Sequence, residues 1–477
     1  MDKVRTRFAP SPTGYMHVGG IRTALFAWLY AKHTGGDFIL RIEDTDKKRE
    51  VEGSIEHIIK CLNSLGIEYD EGPDKPSRFG PFRQSERLAI YQTWAEKLIQ
   101  NGRAYPDPYT PKELESFRAQ SIAEHKPFLY RNHRPGTTSQ WDKTKPLRFK
   151  SDPKAYHWND AVMGELSSGQ EAVDDFVLIK SDGFPTYNFA HIVDDYEMQI
   201  THIMRGHEFI ASTPNYLNLY EALNIDHPIF ATPPPVMGPS GNKKLSKRDG
   251  AKDILEYIDE GYLTEALINY IVSLGWNDGS TQEIYTINEL IQSFSLDRLQ
   301  KSGARFDERR LIWMNGNYIR NLTINELSTK AKDFWPAEAS RYDDDYKNNV
   351  LKLVQERLKL LSELQSLSIF FFIDLPINHE LISNNKKLGS YSKQQLEELL
   401  KITSQELATS NFTVEDLTDK LNHLLTITNQ TPAVLFSLIR IATTQAPASP
   451  PLAESMALLG KERVISRIDN QLKDLKE

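Results

Sequence analysis

Between a short apolar stretch, "VRTRFA", and a long amphipathic one, the chain reads "HVGG": His17, Val18, Gly19 and Gly20. An imidazole and two residues without Cβ, placed where a strand hands over to a helix, suit anion chemistry. The first helical turn offers unpaired N–H groups and the positive end of the dipole. Glycines let a phosphate or a flat purine approach the backbone, and His17 can donate a hydrogen bond to that phosphate. A second stretch, "GPSGNKKLSKRDGAKD", puts Lys243, Lys244, Lys247 and Arg248 on a Gly/Pro/Ser-rich loop that follows three prolines at 233–235. Such cations can close over the β- and γ-phosphates of a nucleotide as charge accumulates on leaving pyrophosphate. Taken singly, each stretch also reads as ordinary structure: a turn histidine with flexible glycines, and a solvated charged face. Neither a Walker A pattern nor G-x-G-x-x-G is present.

These groups need a sheet to hold them. "VRTRFA" and "DFILRIE" predict short buried strands; between them Ile21, Leu25, Trp28 and Leu29 recur at helical spacing, and Gly35-Gly36 supplies a stop. This is a βαβ unit, which implies a parallel sheet with a right-handed crossover and ligands beyond the carboxyl ends of its strands. Leu88, Tyr91, Trp94 and Leu98 predict a further helix. Past residue 320 strand signals fade into leucine-spaced segments, among them Leu351, Val354, Leu358 and Leu361, then "SKQQLEELLKI" and "GKERVISRIDNQL". The second half reads as a helical bundle, with "ATTQAPASPPLAE" as a connector.

At 477 residues the chain is long enough for several cores, taking roughly 150 residues per domain as the prior. A hydrophobic fraction of 39%, with 7 Trp, 21 Phe and 20 Tyr, can fill them. The single cysteine, Cys61, excludes an internal disulfide and a thiolate-rich zinc cluster, and agrees with a reducing, cytoplasmic compartment. No apolar leader opens the sequence, and "SIFFFIDLP" falls far short of the ~18 residues of a membrane span, so export and membrane anchoring are not expected. With a net charge of −8 the global field repels phosphate; nucleic acid would have to be attracted by local clusters such as "KKLSKR" and "RLQKSGARFDERR".

Five spaced motifs, "RFAPSPTGYMHVGGIRTALF", "FILRIEDTD", "FPTYNFAHIVDD", "HIMRGHEF" and "KKLSKRDGA", together resemble the bacterial-type glutamyl-tRNA synthetases, class I aminoacyl-tRNA synthetases, over essentially the whole chain. "HVGG" is similar to that family's HIGH signature and "KLSKR" to its KMSKS signature. The resemblance implies an α/β fold: a Rossmann-like parallel-sheet catalytic domain with an inserted acceptor-binding domain, followed by an all-α anticodon-binding region. The implied domains are 1–84 with 189–238 (catalytic), 85–188 (acceptor end), 239–320 (stem contact, with the KLSKR loop) and 321–477 (anticodon). It implies that L-glutamate and ATP form glutamyl-adenylate, with Mg²⁺ accompanying ATP, and that the glutamyl group passes to the 3′ end of tRNA(Glu). It also implies a monomer.

The same motifs imply a glutamate pocket of Arg7, Ala9, Ser11, Glu43, Tyr187, Asn188 and Arg205. Glu43 and Ser11 would accept from the α-ammonium, leaving Arg7, Tyr187 and Arg205 for the two carboxylates in an order the sequence leaves open. ATP would meet His17, Gly19, Gly20, Glu208, Lys244, Leu245, Ser246, Lys247 and Arg248, of which His17, Lys244, Lys247 and Arg248 would act on the phosphates. No protein ligand set is assigned to Mg²⁺; Asp44, Asp46, Asp194 and Asp195 read equally as capping or surface carboxylates. Trp335, Arg440 and Arg463 are candidate base-stacking groups that read as ordinary core or surface.

The chain departs from the family at one place. Where relatives carry a Cys-x-Cys and a later cysteine around zinc, Asp107, Tyr109 and Arg134 stand here, so zinc is not expected. Thr110-Pro111-Lys112-Glu113 has the form of a capping box that fixes a helix start without metal. Two rival readings exist: a glutamyl transferase acting on a modified tRNA base, which would resemble only the catalytic half, and an inactive tRNA-binding paralogue, which would lack His17, Lys244 or Lys247.

Overall fold

The computed structural model describes residues 3–137, 140–246, 252–446 and 448–476. In chain order the first part comprises β1 (Arg5–Phe8), α1 (Val18–His33), β2 (Asp37–Leu40), α2 (Ser54–Ser64), α3 (Leu88–Gln100), β3 (Ala104–Pro106) and α4 (Pro111–Ala123). Then come β4 (Leu147–Phe149), β5 (Tyr156–Asp160), β6 (Gly164–Ser168), β7 (Val177–Ile179), α5 (Tyr187–Glu197), β8 (His202–Met204), α6 (Thr213–Leu223) and β9 (Ile229–Ala231). The expected βαβ unit is present: β1 and β2 pair in parallel with Arg7 opposite Ile39. Gly36 is required at the return into β2, because a Cβ there would stand 2.2 Å from the Val4 carbonyl oxygen.

Strand alternation sorts the side chains of β1 between two helices. Thr6 donates a 2.8 Å hydrogen bond to the Ala27 carbonyl of α1, whereas Arg7 points the other way, to Asp195 of α5. Helix α1 buries Ile21, Leu25, Trp28 and Leu29 as its spacing predicts, and is apolar nearly all round because β1 lies on one side and the helices Thr264–Ser273 and Ile287–Ser293 on the other.

The main sheet runs β2-β1-β8-β9-β5-β6, parallel except that β6 is antiparallel to β5; β3, β4 and β7 form a separate antiparallel sheet. Strands β5 and β6 extend the main sheet through the pairing of Asp160 with Phe230, and α5 begins at Tyr187. A pairing between segments so far apart in sequence leaves no local pattern to read.

The chain divides into two compact units, Met1–Ile258 with Thr264–Glu308 and Asp259–Leu263 with Arg309–Glu477. The second unit is helical. Its long segments Lys393–Ala408 and Lys461–Lys476 appear where leucine spacing places them, but Leu358 and Leu361 lie beyond the end of the helix Asp344–Val354, after a 3-10 turn at Gln355–Arg357. Arg463 and Arg467 are structural: they donate to the Phe371, Phe370 and Ile373 carbonyls at the end of the helix Glu363–Phe372, and both meet Asp374. Cations there complement the negative end of the dipole. Trp335 packs edge-on against Phe372. Among the described residues no helix is long and apolar enough to cross a membrane.

The positions of the family's thiols hold an ionic network. Asp107 accepts from Arg148 at 2.6 and 2.9 Å and from the Tyr130 hydroxyl at 2.5 Å, while Arg134 donates to Asp175 at 2.7 and 2.8 Å and to the Ser151 carbonyl at 2.6 Å. The Thr110 box is complete, with Glu113 N–H donating to the threonine hydroxyl and the Glu113 carboxylate accepting from Thr110 N–H. Asp107→Ala would strand the buried Arg148 charge, and the expected cost is about 3–5 kcal/mol in urea unfolding. A loss below about 1 kcal/mol would show that the network holds nothing.

Candidate active site

Three parallel strands bring their carboxyl ends together: β1 carries Arg7, β2 runs on into Arg41 and Glu43, and β8 into Arg205. The chain beyond the strands stays paired, since Arg41 N–H donates to Phe8 O and Glu43 N–H to Pro10 O, both at 3.0 Å. Helix α5 closes over these ends with Tyr187 and Asn188 in its first turn and Asp194 and Asp195 two turns later.

The two aspartates organise the site. Asp195 accepts from Arg7 at 3.0 Å and from Arg41 at 2.7 Å; Arg41 also donates to Glu43 at 2.9 Å. Asp194 accepts from Arg87 at 2.7 Å, Gln84 at 2.8 Å and the Tyr91 hydroxyl at 2.8 Å. Neither aspartate is a cap or a surface group, and Asp44 is also buried, accepting from Ser85 and Lys47. Asp46 is the exception, pairing with Arg49 at the surface. Burial pushes the Asp195 carboxyl up, but Arg41 and Arg7 outweigh it and hold it well below the usual range. For Glu43 burial wins over Arg41 and Arg7, and its carboxyl is raised to about 7. His191, buried between the rings of Tyr187 and Tyr216, is lowered to about 4 by burial.

Arg205 differs from the other guanidiniums. It is buried and lies over Tyr216, Phe230 and Phe209, and Nη2 donates to the Thr213 hydroxyl at 3.2 Å. Among the described residues, its Nε and Nη1 have no hydrogen-bond partner. A cavity of about 450 Å³ is lined by Ser11, Glu43 and Tyr187, with Thr45, Lys180 and Asp182. Burial raises the Tyr187 phenol, with Glu43 adding and Arg205 and Arg7 opposing, so these four side chains share one electrostatic neighbourhood. Asn188 joins it through the Tyr216 hydroxyl at 3.0 Å; Ala9, part-buried, follows β1 directly. A larger cavity of about 610 Å³ at the amino ends of the strands, lined by Lys3, Arg5, Asp37 and Thr201, contains none of the predicted site residues.

His17 is the N-cap of α1, its Nδ1 accepting from Gly19 N–H at 3.1 Å. That bond leaves the proton of the neutral ring on Nε2, the donor a phosphate needs. The Gly19 N–H is engaged by the cap, and a Cβ on Gly19 would press on the His17 ring at 3.2 Å, one on Gly20 on the Met16 methyl at 2.9 Å. The second motif folds back on "VMG": Gly238 N–H donates to Lys243 O and Leu245 N–H to Val236 O, burying the Leu245 side chain. Lys244 reaches Glu208 at 3.1 Å. Ser246 is exposed, and Lys247 and Arg248 lie outside the described residues. Downstream of them Asp253 pairs antiparallel with His17, so the two motifs adjoin.

Residues 3–313 match the family described as tRNA synthetases class I (E and Q), catalytic domain, and residues 326–472 match an anticodon binding domain. The chain belongs to the class I tRNA synthetases. A glutamate–tRNA ligase of Dehalococcoides mccartyi is 40% identical over 100% of this chain and 99% of its own length, and so is one of Clostridium botulinum. A crystal structure of a glutamate tRNA ligase from Elizabethkingia meningosepticum, in complex with its amino acid, aligns with a TM-score of 0.88 at 32% identity, covering 99% of this chain and 100% of that one.

Sequence reading of this synthetase missed Arg41, Arg87 and the two aspartates as parts of the site. A signal existed. Parallel strands buried on both faces read as apolar runs, yet "RTR" and "RIE" place charges at i and i+2, and "VDD" interrupts an apolar helix.

Glu43 binds its proton up to about pH 7 in the folded protein but only to about 4.5 when exposed, so its contribution to stability is full below 4.5 and lost as pH rises to 7. His191 has the opposite sign, costing stability as pH falls from 6.5 to 4. The comparison of wild type with Glu43→Gln isolates the first: the stability gap should move in favour of the variant by about 3 kcal/mol between pH 4.5 and 7 in urea unfolding. A gap independent of pH would mean that Glu43 titrates normally.

Proposed function

We propose that this synthetase is a glutamate–tRNA ligase that activates L-glutamate with ATP to glutamyl-adenylate and transfers it to the 3′ end of tRNA(Glu). The observation that carries the amino-acid specificity is the unpartnered, buried Nε and Nη1 of Arg205, whose charge acts on the Tyr187 phenol that lines the cavity with Glu43. Around the site Asp195 pairs with Arg7 and Arg41 and Asp194 with Arg87, whereas among the described residues no carboxylate forms an ion pair with Arg205. Glutamate brings one net negative charge; glutamine brings none. A guanidinium has donors only, so the amide NH₂ of glutamine would meet N–H with N–H, at about 1–3 kcal/mol per unpaired buried group.

Ser11 and Glu43, which gives up its proton when the ammonium binds, accept from the α-ammonium, Arg205 meets one carboxylate through its unpartnered Nη1, and Arg7 and Tyr187, with Asn188 behind them, serve the other. The α-carboxylate is already a nucleophile: its oxygen attacks the α-phosphorus of ATP, the bond from that phosphorus to the bridging oxygen breaks, and pyrophosphate leaves without side-chain acid–base catalysis. Positioning and charge carry the step. His17 Nε2–H, Lys244, Lys247 and Arg248 meet the leaving phosphates, the backbone at Gly20 approaches the nucleotide, and Glu208 exchanges Lys244 for the ribose. Mg²⁺ would ride on the phosphates, since Asp194, Asp195 and Asp44 are consumed by protein donors. A hydroxyl of the terminal tRNA ribose then attacks the activated carbonyl and releases AMP. Residues around 85–188 would hold the acceptor end, 239–320 the stem and 321–477 the anticodon. A base-modifying transferase would have no use for the segment 326–472, which supports the ligase reading.

ATP–pyrophosphate exchange and charging of purified tRNA test this. Glutamate should support both and glutamine neither; absence of exchange with glutamate, with or without tRNA, overturns the proposal. Arg205→Leu should lower kcat/KM for glutamate by about 10³-fold or more, and Lys244→Ala should lower kcat with little change in glutamate KM.

A further inference from the structure

We propose that His57, Cys61 and Asp253 form a binding site for a single thiophilic divalent cation of the Zn²⁺ or Co²⁺ kind, beside the HVGG turn. Helix α2 sets His57 and Cys61 four residues apart, on one face. The third group comes from Asp253, whose backbone pairs with His17 and whose neighbour Ile254 donates to Met16 O at 3.1 Å. His57 Nε2 stands 3.3 Å from Cys61 Sγ and 2.8 Å from Asp253 Oδ2, and the three ligand atoms lie within 4.8 Å of one another. Ligands at 2.0–2.3 Å around a tetrahedral ion are separated by roughly 3.3–3.7 Å. The Nε2–Sγ separation already lies in that range and the Nε2–Oδ2 separation needs to open by roughly half an ångström, with the fourth position left for water.

Three atoms able to act as electron-pair donors converge here. Nε2 faces both a sulfur and a carboxylate oxygen, and its single proton serves one of them. Asp253 Oδ2 is buried without a hydrogen bond among the described residues, although Nε2 is so near. A bound divalent cation would take the sulfur as thiolate, its proton leaving to solvent, and imidazole, thiolate and carboxylate would each be satisfied. The ion would join α2 to the chain that leaves the KLSKR segment, at the residue paired with His17.

Cobalt gives a selective readout, because Cys61 is the only cysteine in the chain and any thiolate-to-cobalt charge-transfer band must arise from it. Full-length protein freed of metal by chelator and titrated with CoCl₂ should develop that band to one equivalent, and Zn²⁺ should abolish it. His57→Gln, which keeps the thiol, and Asp253→Asn, each checked for folding by far-UV circular dichroism, should bind cobalt more weakly by over the roughly 10–100-fold that loss of an outer-shell partner costs. No band with cobalt in large excess, or a band of unchanged affinity in either folded variant, overturns the proposal. A failure here leaves the ligase reading untouched, since pyrophosphate exchange is measured without cobalt.

Discussion

Asp195 is one carboxylate shared by two arginines from neighbouring strands, and the amino-acid end of the site depends on it. Helix α5 delivers it onto the carboxyl ends of β1 and β2, where it fixes Arg7 directly and Glu43 through Arg41. Buried ion pairs of this kind contribute little net stability, because desolvation offsets most of their attraction. What they supply is position. A guanidinium held by two bonds inside a packed core cannot swing away when substrate is absent, so the field of the site is set before anything binds.

The neighbouring Asp194 extends the same principle outward, tying α5 to Arg87, Gln84 and Tyr91 at the head of α3 and its approach. Arg205 stands outside these ion pairs, with Nε and Nη1 unpartnered among the described residues. A polar atom left unpaired in a core costs free energy unless a ligand completes it. Arg205 is thus under-satisfied, as are Arg41 Nε, Gln84 Oε1 and both ring nitrogens of His191 among the described residues. By contrast, His17 is oriented by a cap bond with its own helix and Lys244 rests on exposed Glu208, both weak, exchangeable contacts.

The fold was legible in proportion to how local its causes are. The β1-α1-β2 unit, helix α3, the Thr110 cap and the leucine-spaced helices of the second unit all follow from spacing and caps within a dozen residues. The attachment of β5 and β6 to the main sheet did not, because it depends on the meeting of Asp160 with Phe230. The ionic network in place of the family's thiols shows the same limit. Asp107, Tyr109 and Arg134 announced the loss of metal ligands, but Arg148, Asp175 and Tyr130, which complete the network, lie elsewhere in the chain.

For the site, the sequence by itself determined which chemical groups are present: an imidazole at a helix start, lysines on a glycine-rich loop, two arginines and a glutamate in motifs of known order. These are properties of residue type and short spacing. Only the tertiary structure decided their states. It made Arg7 an engaged guanidinium and Arg205 a spare one, raised Glu43 while holding Asp195 ionised, and set Asp253 against His17. The physical reason is that protonation and free hydrogen-bonding capacity depend on burial and on partners brought from distant positions, and neither quantity exists until the chain is folded.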